Sequence, residues 1–178
     1  SFMRNSATLP LYPNTDVRYY PDASPMLADM LEDLKNAKRF IFMEYYIIEE
    51  GLMWNSILEV LRERVAAGVD VRVMYDDFGS LNCLPYHYQK TLHSFGIKCQ
   101  VFNRFSPRLT CFHNNRDHRK ITEVDGKVAY TGGVNLADEY INEKKLFGHW
   151  RDTAVRTEGA AAQSLTLMFL QMWNLLSK

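Results

Sequence analysis

The sequence predicts an α/β fold in which a mixed β-sheet is flanked by helices on both faces. Over the first hundred residues, β-branched and aromatic runs alternate with amphipathic helical patterns, which is typical of parallel strands joined by helices. Farther along, the pair Asp125-Gly126 separates two strand-like runs and is a strong signal for an antiparallel hairpin. With 178 residues and 47% hydrophobic residues, the chain is long enough to form a single domain, 1–178, with its own core.

The first half of the chain is predicted to alternate strands and helices. Ser24 is the predicted N-cap of the first helix, and Pro25 is placed at its first helical position. Gly68 and Gly96 each follow an amphipathic pattern and are expected to end a helix. The predicted elements are, in order, a strand over 17–20, a helix over 24–38, a strand over 39–48, a helix ending at Gly68, a strand over 69–77, a helix over 86–96 and a strand over 97–102.

The second half departs from this alternation. Residues 103–117 show no clear period and predict a long loop, and long loops in compact domains are often functional. Strands over 118–124 and 127–132 are expected to form the hairpin, followed by a strand over 150–159. The closing helix, 161–178, is apolar on nearly every side, so we expect it to be covered from several directions.

The composition narrows the class of protein. The 21 basic residues balance 21 acidic residues, which argues against a dedicated nucleic-acid-binding protein. No apolar run is long enough to span a bilayer, and no secretory signal stands at the start. Cys83, Cys99 and Cys111 form no C-x-x-C pair, so a reducing, cytosolic setting is expected, without disulfides or a zinc site.

A compact group of polar residues surrounds the predicted hairpin. His118 and Lys120 share one face of a strand, roughly 7 Å apart at ~3.3 Å per residue. Strict alternation places Asp125 on the opposite face, at the hairpin corner, where it is expected to accept turn N–H bonds. Gly132, Gly133 and Asn135 end the second strand beside the first. This set suits attack by an imidazole on a phosphate ester, with Lys120 and Asn135 holding the phosphoryl oxygens.

A nucleophilic histidine needs one free ring nitrogen and an acceptor for the N–H of the other. We favour Asp152 as this acceptor, in the manner of the aspartate of a catalytic triad. No metal or other cofactor is required, because the chain contains no H-E-x-x-H or equivalent motif. The candidate carboxylates are Glu44, Asp76, Asp77, Asp117, Glu123 and Asp152.

These residues resemble a known family. "HRKITEVD" matches the H-x-K-x4-D signature of the phospholipase D superfamily, and "GGVN" matches the turn that follows it. The strings "FMEYYII", "AAGVDVRVMYDDFGS", "NRDHRKI", "TGGVNLADEYIN" and "FGHWRDTAVRTEG" are similar, in the same order, to the N-terminal catalytic half of bacterial cardiolipin synthases. The resemblance implies a phospholipase D-like fold from about residue 17 onward.

By position, the resemblance implies that His118 is one of two active-site histidines. Lys120 and Asn135 would be phosphate ligands, and Asp152 would be the carboxylate paired with a histidine. Asp125 would be a structural member of the motif, and Gly132 and Gly133 would let the backbone approach the phosphate. The family uses two such motifs and carries hydrophobic membrane segments upstream, whereas this chain has one motif and no such segment.

Three interpretations remain open. In the first, the chain is half of a cardiolipin synthase that acts on phosphatidylglycerol at the cytoplasmic face of the cell membrane, with a second phospholipase D-like half as its partner; the chain itself is expected to be soluble. The loop over 103–117 would then contact acyl chains or the membrane surface. The second is a homodimeric single-motif phosphodiesterase or nuclease, and the third is a binding domain without catalysis. No nucleic acid is expected as a partner in the first.

Overall fold

A mixed sheet of seven strands lies at the centre of the molecule, as seen in a computed structural model that describes residues 12–104, 115–146 and 148–177. The strands within these ranges follow the order β1-β7-β6-β5-β2-β3-β4 across the sheet. Four helices accompany them in the same ranges. The elements are β1 (Thr15–Tyr20), α1 (Ala23–Lys35), β2 (Phe40–Tyr45), α2 (Leu52–Ala66), β3 (Asp70–Asp76), α3 (Tyr88–Ser94), β4 (Lys98–Phe102), β5 (Ile121–Val124), β6 (Val128–Gly132), β7 (Ala154–Gly159) and α4 (Ala162–Leu176).

The prediction of a mixed sheet is confirmed, and its parallel part is smaller than the alternation suggested. Strand β3 pairs in parallel with both β2 and β4. The pairs β2–β5, β5–β6 and β6–β7 are antiparallel. β1 was expected to join the parallel set, but it pairs antiparallel with β7 at the far edge. Its side chains are mostly exposed, as suits an edge, whereas β2 is buried and takes a central place.

The first helix begins and ends at residues other than those predicted. Asp22, not Ser24, is the N-cap, and its carboxylate accepts the Ala23 N–H at 2.9 Å. Ser24 instead donates its hydroxyl to the Ile141 carbonyl at 3.4 Å. Helix α1 ends at Lys35 rather than at residue 38. The N–H of Lys38 is bonded to a carboxylate of the later hairpin, so it is not available to a helical carbonyl.

Helices cover both faces of the sheet, as predicted. On one face, α1, α2 and α3 share one hydrophobic core with alternate residues of β2, including Ile41, Met43 and Tyr45. On the other face, α4 packs Phe169 and Trp173 against residues of β2 and β3. The outer side of α4 leaves Leu167 52% and Leu175 63% exposed within the described chain. Within the described ranges, the expected cover of this helix on several sides is therefore present on one side only.

Several predictions fall on the segment 105–114, which lies outside the described residues. They include most of the predicted long loop and Cys111. The flanking residues 103, 104 and 115–117 form neither helix nor strand. Cys83 is half-buried, Cys99 is buried, and both are free thiols. Within the described ranges, no helix combines the length and apolar character needed to cross a membrane.

Candidate active site

The histidine–lysine segment reaches the site by the alternation of an extended chain. Residues 115–120 run without regular structure into β5, whose four residues are all buried. His118 is exposed, and Lys120 on the same side is 4% exposed. Asp117 and Arg119 lie on the opposite side and face buried carboxylates. The segment therefore offers one reactive side to solvent and anchors the other in the interior.

The imidazole of His118 contacts two side chains among the described residues. Lys120 Nζ lies 3.1 Å from His118 Nδ1 and donates to the His118 carbonyl oxygen at 2.7 Å. The ring of Tyr46 packs on the imidazole, with centroids 4.7 Å apart and planes tilted by 46°. Lys120 Nζ also lies 5.3 Å from the Tyr46 ring centroid. Tyr46 thus contacts both members of the pair.

Sequence reasoning missed Tyr46, although one signal was present. Tyr46 directly follows β2, at the carboxyl end of a parallel strand, where α/β proteins commonly place ligand-binding groups. Its backbone is enclosed by the loop after β3. Ser80 donates its hydroxyl to the Tyr46 carbonyl at 3.3 Å, and a Cβ at Gly79 would stand 2.3 Å from the same oxygen. Only glycine allows this close approach.

The buried ammonium of Lys120 is poised to contact an anion. Burial lowers the pKa of Lys120, and the nearby carboxylates of Asp152 and Asp117 partly oppose that effect. A desolvated cation interacts more strongly with a phosphoryl oxygen than a solvated one does, because the local dielectric is lower. Lys120 can therefore stabilise negative charge that develops beside His118.

Asp125 lies at the hairpin corner and ties the hairpin to the start of β2. Its carboxylate accepts the N–H groups of Lys38, Arg39 and Phe40 at 2.8, 2.7 and 2.9 Å. The sequence predicts donors from its own turn, whereas the structure supplies them from a segment distant in sequence. Burial acts to raise the pKa of Asp125, but the bonds from Phe40, Lys38 and Arg39 outweigh it and lower the pKa.

Asn135 is 3% exposed, and its amide bonds to protein on both sides. Its Oδ1 accepts the Ile47 N–H at 3.0 Å, and its Nδ2 donates to the Tyr140 hydroxyl at 2.7 Å. These bonds fix the amide next to the segment that follows Tyr46. The second Nδ2 hydrogen is the part of Asn135 that could serve a phosphate, as the sequence predicts.

The two glycines have a packing role that the sequence analysis did not foresee. A Cβ at Gly133 would fall 1.9 Å from Asp152 Oδ1, and a Cβ at Gly132 would fall 2.3 Å from the Thr153 carbonyl oxygen. Gly132 also has φ 157. The pair therefore lets β6 approach residues 152 and 153 and brings Asp152 close to the site.

Asp152 is not bonded to His118 in the described chain. Its Oδ1 accepts the Thr153 N–H at 2.7 Å, and its charge acts on Lys120. Among the other candidate carboxylates, Asp76 accepts the N–H groups of Phe78 and Gly79. Glu123 accepts the Gly126 N–H. Within the described ranges, no group of three or more His, Cys, Asp or Glu side chains could hold a metal ion.

An exposed imidazole, a buried ammonium beside it and a nearby carboxylate suit nucleophilic or acid–base chemistry at a phosphodiester. With the mixed sheet, this constellation defines a member of the phospholipase D superfamily. A family model described as "Cardiolipin synthase, PLD-like domain" matches residues 30–173. The chain belongs to that family.

Three similar proteins illustrate the range of this family. An uncharacterized protein of Streptococcus mutans is 49% identical over 99% of this chain and 38% of its own length. A cardiolipin synthase of Staphylococcus aureus strain Mu50 is 35% identical over 90% of this chain and 33% of its own length. The crystal structure of Nuc, a phospholipase D family member from Salmonella typhimurium, has the same fold with a TM-score of 0.63 at 20% identity. The match covers 95% of the Nuc chain and 92% of this chain. The chain spans about a third of the length of the curated relatives it matches, 38% and 33% in the two cases above.

Proposed function

We propose that the protein containing this chain transfers a phosphatidyl group between two phosphatidylglycerol molecules, giving cardiolipin and glycerol. One observation carries the proposal. The exposed imidazole of His118 lies beside the buried ammonium of Lys120, in a chain 35% identical to a cardiolipin synthase. The balanced charge of 21 basic and 21 acidic residues favours a lipid phosphodiester over a nucleic acid.

In the first step, an imidazole nitrogen attacks the phosphorus of phosphatidylglycerol. A nitrogen–phosphorus bond forms, and the bond from phosphorus to the headgroup glycerol oxygen breaks. The leaving oxygen takes a proton from a second histidine, supplied by another phospholipase D-like half. The product is a phosphatidyl-histidine and free glycerol, and either histidine can be the nucleophile.

In the second step, a hydroxyl of the headgroup of a second phosphatidylglycerol attacks the same phosphorus. The histidine that gave up its proton now accepts the proton of this hydroxyl. The nitrogen–phosphorus bond breaks, cardiolipin leaves, and both imidazoles return to their starting states. Lys120 stabilises the charge on the phosphoryl oxygens in both steps, and Asn135 assists through its amide.

The proposed partners are phosphatidylglycerol, a second phospholipase D-like half and the cytoplasmic surface of the cell membrane. One similar structure favours a second candidate, a homodimeric phosphodiesterase. Nuc matches this chain over 95% of its length, so the same fold constitutes almost its whole chain. In that case, two copies of this domain would face each other across a two-fold axis.

The test uses the full-length protein and phosphatidylglycerol labelled in its headgroup glycerol. We expect cardiolipin and free glycerol in equal amounts. Phosphatidic acid and glycerol without cardiolipin would overturn the transferase proposal, because water would then be the acceptor. The isolated 178-residue chain, examined by gel filtration with light scattering, is expected to be inactive as a monomer; phosphodiester turnover by a dimer would favour the second candidate.

A further inference from the structure

A cluster of buried charged groups lies behind the segment that carries His118. Because the chain is extended there, Asp117 and Arg119 face this cluster while His118 and Lys120 face the site. Glu44 of β2 is 0% exposed and belongs to the cluster. The two neighbours of the histidine are therefore held from beneath by groups on central strands of the sheet.

Short contacts connect the cluster. Arg119 Nη2 lies 2.5 Å from Glu44 Oε1, and Arg119 Nε lies 3.2 Å from Asp117 Oδ1. Asp76 of β3 accepts the Asp117 N–H at 3.0 Å, and Arg116 Nη1 lies 3.3 Å from its other oxygen. One arginine thus lies between two carboxyl groups that are both almost fully buried.

The charges of the cluster balance only if one carboxyl carries a proton. Arg116 pairs with Asp76, so the single charge of Arg119 serves both Glu44 and Asp117. Lys120 also acts on Asp117, but its charge is shared with Asp152. An unbalanced buried charge is costly, so protonation is the favoured solution.

Other ionisable groups of the described residues on this side of the sheet have partners outside the cluster. Arg72 of β3 pairs with Asp70 at 2.7 Å. Glu123 of β5 accepts the Gly126 N–H. Helix α4, which covers this side, has no ionisable side chain in its sequence AQSLTLMFLQMWNLL.

We propose that Glu44 is a positioning residue: its protonated carboxyl donates to Asp117, and this bond fixes residues 117–119 so that the His118 imidazole faces the substrate. The inference rests on the proposed function only in taking His118 as the reacting residue. Burial, supported by the hydrogen bond to Asp117 and its charge, raises the pKa of Glu44 to about 9 against the opposing charge of Arg119. The bond is thus intact at neutral pH and is lost when Glu44 ionises in alkaline solution.

The test compares Glu44→Gln, Glu44→Leu and a control, Glu123→Gln, in the full-length protein. Glutamine keeps an N–H donor for Asp117 and cannot ionise. We expect its kcat at pH 7 to lie within about threefold of wild type and its alkaline loss of kcat near pH 9 to disappear. Glu44→Leu should lower kcat about tenfold or more with little change in KM. Glu123→Gln removes a buried carboxyl from the same side of the sheet and should keep the alkaline loss.

Two results would overturn the proposal. A large loss of kcat in Glu44→Gln at pH 7 would show that the ionised carboxylate is needed for its pair with Arg119. An unchanged alkaline loss in that variant would assign the titration to another group. The assays use two substrates, phosphatidylglycerol and the generic phosphodiester bis(4-nitrophenyl) phosphate. If only bis(4-nitrophenyl) phosphate is hydrolysed, the cardiolipin synthase proposal fails. The role of Glu44 can then still be tested with that substrate.

Thermal unfolding tests the protonation of Glu44 independently of catalysis. Because the pKa of Glu44 is raised from 4.5 to about 9, its stabilising contribution is complete at low pH and falls as pH rises through 9. The Tm of Glu44→Gln relative to that of wild type should therefore increase as pH rises from 5 to 9. If the difference in Tm between Glu44→Gln and wild type instead stays constant above pH 5, Glu44 is already ionised there as the partner of Arg119, and the proposal fails whatever the substrate.

Discussion

Lys120 Nζ lies 3.1 Å from Nδ1 of His118 and 2.7 Å from its carbonyl oxygen, so one ammonium contacts both the ring and the backbone of the same residue. The contact to the carbonyl holds the lysine in place. The contact to Nδ1 means that an incoming phosphoryl group and the imidazole share one cation. The lysine can therefore couple the orientation of the ring to the charge on the substrate.

We expect Lys120→Met to lower kcat by about a hundredfold in the full-length protein, the usual cost of losing one group that stabilises a transition-state oxyanion. The Tm should stay the same or rise, because the substitution removes a buried charge whose pKa is already lowered by burial. Steady-state kinetics and thermal unfolding measure the two effects. A large drop in Tm with kcat preserved would assign Lys120 to the fold alone.

We expect His118→Asn to reduce turnover to below about 1% of wild type while leaving the fold intact, because the ring is exposed. His87→Asn is the matched control. His87 is also exposed, and asparagine tolerates its φ of 63. Circular dichroism checks the fold of both variants. Equal activity in the two would remove His118 from the mechanism.

Gly133→Ala should reproduce the effect of Asp152→Asn. The added Cβ would fall 1.9 Å from Asp152 Oδ1, and the carboxylate can move aside because it ends a flexible side chain. We expect each variant to lower kcat at least about tenfold with a small change in Tm, since both disturb the charge near Lys120. If Gly133→Ala alone is impaired, the glycine acts through the backbone, and the role assigned to Asp152 is wrong.

Asp125→Asn should destabilise the fold by about 1–2 kcal/mol, because an amide cannot replace a carboxylate that accepts three backbone N–H bonds. Asparagine keeps the φ of 58 at this position. The pKa of Asp125 is lowered, so its stabilising effect is present above the ordinary value of 3.8 and is lost as pH falls below it. The deficit of the variant in urea unfolding should shrink below pH 4. A deficit that does not depend on pH would contradict this assignment.

The sequence predicted most elements because their signals are local. The Asp125-Gly126 turn and the apolar face of α1 each depend on neighbours a few residues away. The N-cap was misplaced because Asp22 and Ser24 are both good caps, and the choice depends on which one packs near Ile141.

The site was predicted in part for a related reason. His118 and Lys120 lie two residues apart on one strand-like segment, so their shared face follows from alternation. Tyr46 and Glu44 reach the same place from β2, a strand distant in sequence, and only pairing across the sheet brings them there. A motif search along the chain has no access to that pairing.

The pairing of β1 with β7 has a consequence for how the chain acquires its structure during synthesis. Among the seven strands described here, β1 leaves the ribosome first and its partner β7 leaves last. Val17 and Tyr19 of β1 are therefore unpaired while residues 21–153 are synthesised, on an edge that could pair with another chain. We infer that closure of this edge is a late, non-local step, and that slowing translation before residue 154 would prolong the aggregation-prone interval.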